Sequence, residues 1–205
     1  MKYTLYVCTD RDLMSCVTIE ESVEQAILGG ADIVQLRDKK APARELYNMA
    51  VSVKKITDAH HIPLIINDRV DIAAAVDAAG VHLGQSDIPL KAARKILGAN
   101  KIIGVSAATV AEAKLAEEQG ADYLGIGAIF TTTTKTNTRA VSLQLLREIK
   151  QSVNIPMVAI GGIHINNVAQ VAATGVDGIA VVSAVIAQED IAEAARSMKR
   201  LFEKG

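Results

Sequence analysis

Two short apolar runs, Leu64-Ile65-Ile66-Asn67-Asp68 and Val81-His82-Leu83-Gly84-Gln85-Ser86-Asp87, each lead directly to a carboxylate. The Ala-rich segment between them has the length of a short helix. Read as neighbouring parallel strands, the two runs place Asp68 and Asp87 at one rim of a sheet. Two hard oxygen ligands there, with room left for a substrate, suit a Mg²⁺–diphosphate site.

The same alternation runs through the whole chain. Strands are expected near Leu5–Thr9, Ile33–Leu36, Leu64–Asn67, Val81–Leu83, Ile102–Ser106, Tyr123–Ile126, Met157–Ile160 and Gly178–Val182. They are apolar on both alternations, as parallel strands covered on both faces are. Ala-, Glu- and Lys-rich segments of helical length separate them, and Thr18 with Glu21 and Thr109 with Glu112 read as helix starts. Eight strand–helix units in 205 residues predict one α/β domain over residues 1–205, a closed (β/α)₈ TIM barrel rather than an open doubly wound sheet. A helix-to-strand turn recurs as Gly30-Ala31-Asp32, Ala79-Gly80-Val81, Gly120-Ala121-Asp122 and Gly175-Val176-Asp177, before every second strand. That two-unit period fits a barrel whose inner layers draw on alternate strands.

Composition narrows the function. Lys plus Arg is 22 against Asp plus Glu at 23, a net charge of −1, which offers no electrostatic case for nucleic acid or an anionic membrane. No apolar stretch reaches the roughly 18 residues of a membrane span, and the N-terminus lacks a signal-peptide core. Cys8 and Cys16 form no disulfide framework. A soluble, cytoplasmic protein is expected, and anion binding must come from locally placed cations and backbone N–H groups.

In a barrel, catalytic groups belong at the C-terminal ends of the strands. The polar residues fall there strand after strand: Gln35, Arg37 and Lys39; Asn67 and Asp68; Gln85 and Asp87; Ser106; Gly161-Gly162; Ser183. Asn67, Asp68 or Asp87 would serve equally as helix caps, Asp87 just before Pro89. Ser106 is freer of that reading, because Thr109 supplies the cap. The polar, basic segment Thr131 to Arg139 exceeds the about 2–6 residues of a plain connection and reads as a binding lid carrying Thr132, Thr133, Thr134 and Lys135. Gly161-Gly162 together with Val182-Ser183-Ala184 reads as a phosphate cup after strands seven and eight. His82 reads as a packed core histidine. The chain thus offers two anion sites, Asp68, Asp87, Lys39 and Lys135 on one side and Gly162 with Ser183 on the other.

At these residues the sequence resembles the thiamine phosphate synthase family. The blocks are Gln35-Leu36-Arg37-Asp38-Lys39, Ile65-Ile66-Asn67-Asp68-Arg69, Gly80-Val81-His82-Leu83-Gly84-Gln85-Ser86-Asp87, Ile103-Gly104-Val105-Ser106, Gly120 to Gly127, Val158 to Ile163 and Ala180-Val181-Val182-Ser183-Ala184. The resemblance implies coupling of a hydroxymethylpyrimidine diphosphate to a hydroxyethylthiazole phosphate, with pyrophosphate released. It implies Asp68 and Asp87 as Mg²⁺ ligands, and Gln35, Leu36, Arg37, Asp38, Lys39, Asn67, Ser106 and Lys135 around the pyrimidine diphosphate. Thr132, Thr133, Thr134, Gly162, Val182 and Ser183 would hold the thiazole phosphate, with Lys39, Ser106 and Lys135 closest to the chemistry. The lid departs from the family pattern: Thr131 stands where the family often has Pro, and Thr136 where it often has a second Lys. A related thiazole tautomerase on the same barrel and a non-catalytic phosphate-ligand regulator are the alternatives.

Overall fold

The protein is described by a computed structural model covering residues 2–132 and 139–205. Eight parallel strands pair in chain order: β1 (Leu5–Cys8), β2 (Ile33–Leu36), β3 (Leu64–Asn67), β4 (Gly80–Leu83), β5 (Ile102–Ala107), β6 (Tyr123–Ile126), β7 (Met157–Ile160) and β8 (Gly178–Val181). β8 pairs back onto β1 through Leu5↔Ile179 and Val7↔Val181, so the sheet closes and an open doubly wound arrangement is excluded. Each expected strand is present, with ends within one residue of those expected. Around it lie α1 (Ile19–Leu28), α2 (Ala43–Ala59), α3 (Val70–Ala75), α4 (Leu90–Leu97), α5 (Val110–Glu118), α6 (Leu143–Ser152), α7 (Val168–Ala172), α8 (Ser183–Ile186) and α9 (Ile191–Lys204). Among the described residues, no helix is long and apolar enough to cross a membrane.

The strands are apolar on both alternations because each face meets a different core. Val34, Leu36, Ile66, Leu83, Ile103, Leu124 and Ile179 point outward and pack with the helices in one continuous cluster. Tyr6, Cys8, Ile33, Ile65, Tyr123, Val158 and Ala180 point inward and form a smaller one. A fully buried Leu or Ile contributes about 1.5–3 kcal/mol, so the larger outer layer carries most of the stability. The inner layer is left able to hold polar groups. Thr18 and Thr109 cap α1 and α5 as expected, each accepting from the backbone N–H three residues on.

The recurring turn has a physical reason. Asp32, Asp122 and Asp177 each reach across to the strand before their own. Their carboxylates accept from the N–H groups of Leu5, Ile103 and Met157 at 3.1, 2.7 and 2.7 Å. Their own N–H groups donate to the carbonyls of the same three residues. A cation then closes each latch: Lys199 on Asp32, Arg94 on Asp122 and Lys150 on Asp177. The turn before β4 has no such Asp. There Gly80 is packed so closely that a Cβ would lie 2.0 Å from the Ile102 carbonyl oxygen.

Candidate active site

A cavity of 1210 Å³ opens at the C-terminal ends of the strands. On one wall, β3 ends in a left-handed turn at Asp68 (φ 62°), a conformation uncommon outside glycine but one that Asp tolerates. The turn is held by the Asp68 N–H, which donates to the His82 carbonyl at 2.9 Å, and it brings the carboxylate to Lys39 Nζ at 3.1 Å. Asp87 folds back over its own loop and accepts from Gly84 N–H at 2.6 Å. Burial, and then hydrogen-bonding contact with Asp68, raises the Asp87 carboxyl above its ordinary value, while Lys39 opposes the shift.

The capping alternative falls away. The N-cap positions of α3 and α4 are Arg69 and Pro89, and neither makes a side-chain cap bond. Two carboxylates in contact need a proton or a cation between them. Among the described residues no group of three or more acidic, His or Cys side chains gathers as a complete metal cage. A pair of hard oxygen donors fits Mg²⁺, which is bound by one or two carboxylates together with substrate phosphates.

The opposite wall is built from backbone. Gly161 (φ 103°) and Gly162 (φ 62°) turn sharply after β7, and a Cβ on Gly162 would lie 2.5 Å from the Thr131 carbonyl oxygen. Asn167 pins this turn, donating to the Gly162 carbonyl at 3.0 Å and accepting from His164 N–H at 2.8 Å. Val182 and Ser183, at the start of the short α8, line the cavity beside Gly162. Thr132 also lines it. Thr133, Thr134 and Lys135 lie outside the described residues. The Arg139 guanidinium makes two bonds to Glu112 at 2.6 and 2.7 Å and holds that carboxyl below its usual range.

The floor joins the two walls. Gln35, Asn67 and Ser106 line the cavity as expected, with Arg37 and Lys39 at its edge. Arg37 is steadied by Asp10 at 2.8 Å. Two of the expected residues, Leu36 and Asp38, do not line the cavity. Leu36 is fully buried in the outer core, because alternation along β2 turns it away from Gln35 and the cavity. Asp38 faces its own loop: it accepts from Lys40 and Ala41 N–H at 2.9 Å and from Arg11 Nε at 2.8 Å. Those donors outweigh its burial and hold its carboxyl below the usual range.

His82 also departs from its packed-core reading. It is half-buried, lines the cavity, and bonds through Nδ1 to Tyr123 and through Nε2 to Ser106, both at 2.9 Å. Gln85, which donates to the Ser106 carbonyl at 2.6 Å, and Tyr6, Arg139 and Asn167 also line the cavity. The sequence carried one sign of this floor. Gly104 and Gly125 interrupt β5 and β6 at inward positions, and glycine inside a strand marks a close approach. A Cβ on Gly104 would lie 2.1 Å from the Tyr123 ring, and one on Gly125 2.9 Å from the His82 ring.

A closed parallel barrel whose mouth sets an acidic–cationic wall against a glycine-built cup has the layout of an enzyme for phosphorylated small molecules. The comparisons narrow the class. The family described as thiamine monophosphate synthase matches residues 5–185. A thiamine-phosphate synthase from Clostridium beijerinckii is 55% identical, over 98% of this chain and 97% of the relative. One from Ruminiclostridium cellulolyticum is 54% identical, over 98% and 95%. The solved thiamine phosphate pyrophosphorylase from Pyrococcus furiosus superposes with a TM-score of 0.91 at 45% identity, covering 98% of this chain and 96% of that one. This chain therefore belongs to the thiamine monophosphate synthase family.

Proposed function

We infer that the chain is a thiamine-phosphate synthase. It couples 4-amino-2-methyl-5-hydroxymethylpyrimidine diphosphate to 4-methyl-5-hydroxyethylthiazole phosphate, giving thiamine phosphate and pyrophosphate. The observation that carries this reading is the pairing of Asp68 and Asp87, beside Lys39, with a separate phosphate cup at Gly162 and Ser183 in the same cavity. One anion site would serve an isomerase of a single phosphorylated substrate. Two serve a transfer between a diphosphate and a monophosphate.

The chemistry follows from the substrates. The C–O bond to the diphosphate breaks with its electron pair leaving on pyrophosphate. The electron-rich aminopyrimidine stabilises the CH₂ cation, and the thiazole nitrogen donates its lone pair to form the new C–N bond. No general base or covalent nucleophile is needed. Asp68 and Asp87 would hold Mg²⁺, which when bound supplies positive charge to the diphosphate. Lys39, and Lys135 from the lid, stabilise the negative charge that develops on the departing oxygens. A well-placed cation contributing about 3–4 kcal/mol corresponds to about 10²–10³ in rate. Ser106, from the floor, hydrogen-bonds the pyrimidine diphosphate. Gly162, Val182, Ser183 and the Thr132 to Thr134 segment hold the thiazole phosphate with the nitrogen facing the cation.

Incubation with both substrates, in Mg²⁺ and then in EDTA, tests this. Mg²⁺-dependent pyrophosphate release supports the synthase. Thiazole isomerisation without release would instead identify a tautomerase, and binding without turnover a regulator.

A further inference from the structure

A chain of hydrogen bonds crosses the barrel beneath the cavity and visits five strands. Gln35 Nε2 on β2 donates to Tyr6 Oη on β1 at 2.8 Å. Tyr6 Oη meets Tyr123 Oη on β6 at 2.8 Å. Tyr123 Oη meets His82 Nδ1 on β4 at 2.9 Å, and His82 Nε2 meets Ser106 Oγ on β5 at 2.9 Å. Polar groups this deep stabilise a fold only when each is satisfied.

The direction of the chain is set at its closed end. The Gln35 amide nitrogen can only donate, so the Tyr6 hydroxyl accepts from it and sends its own hydrogen to Tyr123. Tyr123 Oη, already accepting from Tyr6, sends its hydrogen to His82 Nδ1. An imidazole that accepts at Nδ1 carries its proton at Nε2, and that N–H donates to Ser106 Oγ. Ser106 Oγ then has one hydrogen left, and it cannot return to His82. Among the described residues, Ser106 Oγ bonds only to His82, so the remaining hydrogen is available to the cavity. Burial pushes both phenols well above their ordinary pKa and keeps them protonated donors.

We propose that Tyr123, backed by Tyr6 and Gln35, is a positioning residue that fixes His82 as the Nε2–H tautomer and thereby presents Ser106 to the pyrimidine diphosphate as a hydrogen-bond donor. The matching ligand atom is an acceptor, a diphosphate oxygen or a ring nitrogen of that substrate. With the chain reversed, the Ser106 hydrogen would turn inward to His82 and the cavity would lose its donor. The strand glycines belong to the same device: Gly104 makes room for the Tyr123 ring and Gly125 for His82. The choice of ligand rests on the synthase reading; the tautomer does not.

The test pairs a spectroscopic readout of the substrate-free full chain with kinetics. ¹⁵N NMR of imidazole-labelled protein at neutral pH should find His82 in wild type as the Nε2–H tautomer. Tyr123→Phe should abolish that preference. It should also lower kcat/KM for the pyrimidine diphosphate about tenfold, the size of one neutral hydrogen bond, with KM for the thiazole phosphate unchanged. Tyr6→Phe should shift both readouts in the same direction by less. An Nδ1–H tautomer or an imidazolium in wild type overturns the proposal even if no variant folds. So does a Tyr123→Phe protein with an unchanged tautomer, or one whose loss is shared equally by both substrates. A wild type that releases no pyrophosphate would refute the synthase reading, while the tautomer would still decide the chain.

Discussion

At the N-terminal ends of the strands, Asp32, Asp122 and Asp177 each accept from a backbone N–H and each meet a cation. At the C-terminal ends, Asp68 and Asp87 lie against each other, and the Asp87 carboxyl is raised rather than relieved. The residue type is the same and the treatment is opposite. The first rim answers every charge within the chain, so its acids hold strands in register. The second sets two acids in mutual contact, with Lys39 beside Asp68 and Gly84 N–H on Asp87, an arrangement that favours an incoming cation. One rim fixes strand register, and the other is the proposed binding site.

The largest test of that contrast is Asp68→Asn with Asp87→Asn, because Asn tolerates the left-handed turn at position 68 and keeps an acceptor for Gly84 N–H. Turnover should fall by at least about 10³, with thermal unfolding no earlier than in wild type. Steady-state pyrophosphate release and a melting curve on the same sample check both halves, and an early melt would mean these acids hold the fold. Asp122→Ala should do the reverse. It leaves the Ile103 N–H without its carboxylate acceptor and takes one of several partners from Arg94, for a loss of about 1–3 kcal/mol, while kcat and KM stay within about twofold. Denaturant unfolding reads the first and steady-state kinetics the second.

The smallest effect is the sharpest in sign. A carboxyl raised in the folded state contributes stability that is fully present below its unfolded pKa and is lost as pH rises through the folded value. Wild type at neutral pH therefore lacks that contribution. Asp87→Asn keeps an acceptor for Gly84 N–H and removes the half-buried charge. It should raise Tm by about 1–2 °C at pH 7, and the gain should vanish below the ordinary carboxylate range. Melting curves across pH check this, and a Tm that drops at neutral pH would show that Asp87 is not held under repulsion.

Much of the fold was legible because parallel strands covered on both faces leave a plain mark, and the recurring Gly-x-Asp turn marked every second strand except β4. What that Asp does was not legible. Its acceptor role depends on a backbone N–H about 20 residues away for Asp122 and Asp177, and on cations from distant helices. The lining of the cavity was readable near the C-terminal ends of strands, as at Asp68, Asp87 and Ser106. The placement of Leu36 and Asp38 away from the cavity was not readable from the block Gln35 to Lys39 that carried the resemblance. Period-two alternation sends Leu36 outward, and Asp38 is consumed by N–H groups two and three residues on. The Tyr6–Tyr123–His82 chain joins residues 117 and 41 positions apart, and only the strand glycines Gly104 and Gly125 hinted at it.

Calorimetric titration of inorganic pyrophosphate into the wild-type protein, with and without Mg²⁺, examines the open rim most directly. Binding should require Mg²⁺ and should be lost in Asp68→Asn with Asp87→Asn. Pyrophosphate bound as tightly in EDTA, or as tightly by the double variant, would show that the two aspartates are not the metal–diphosphate site.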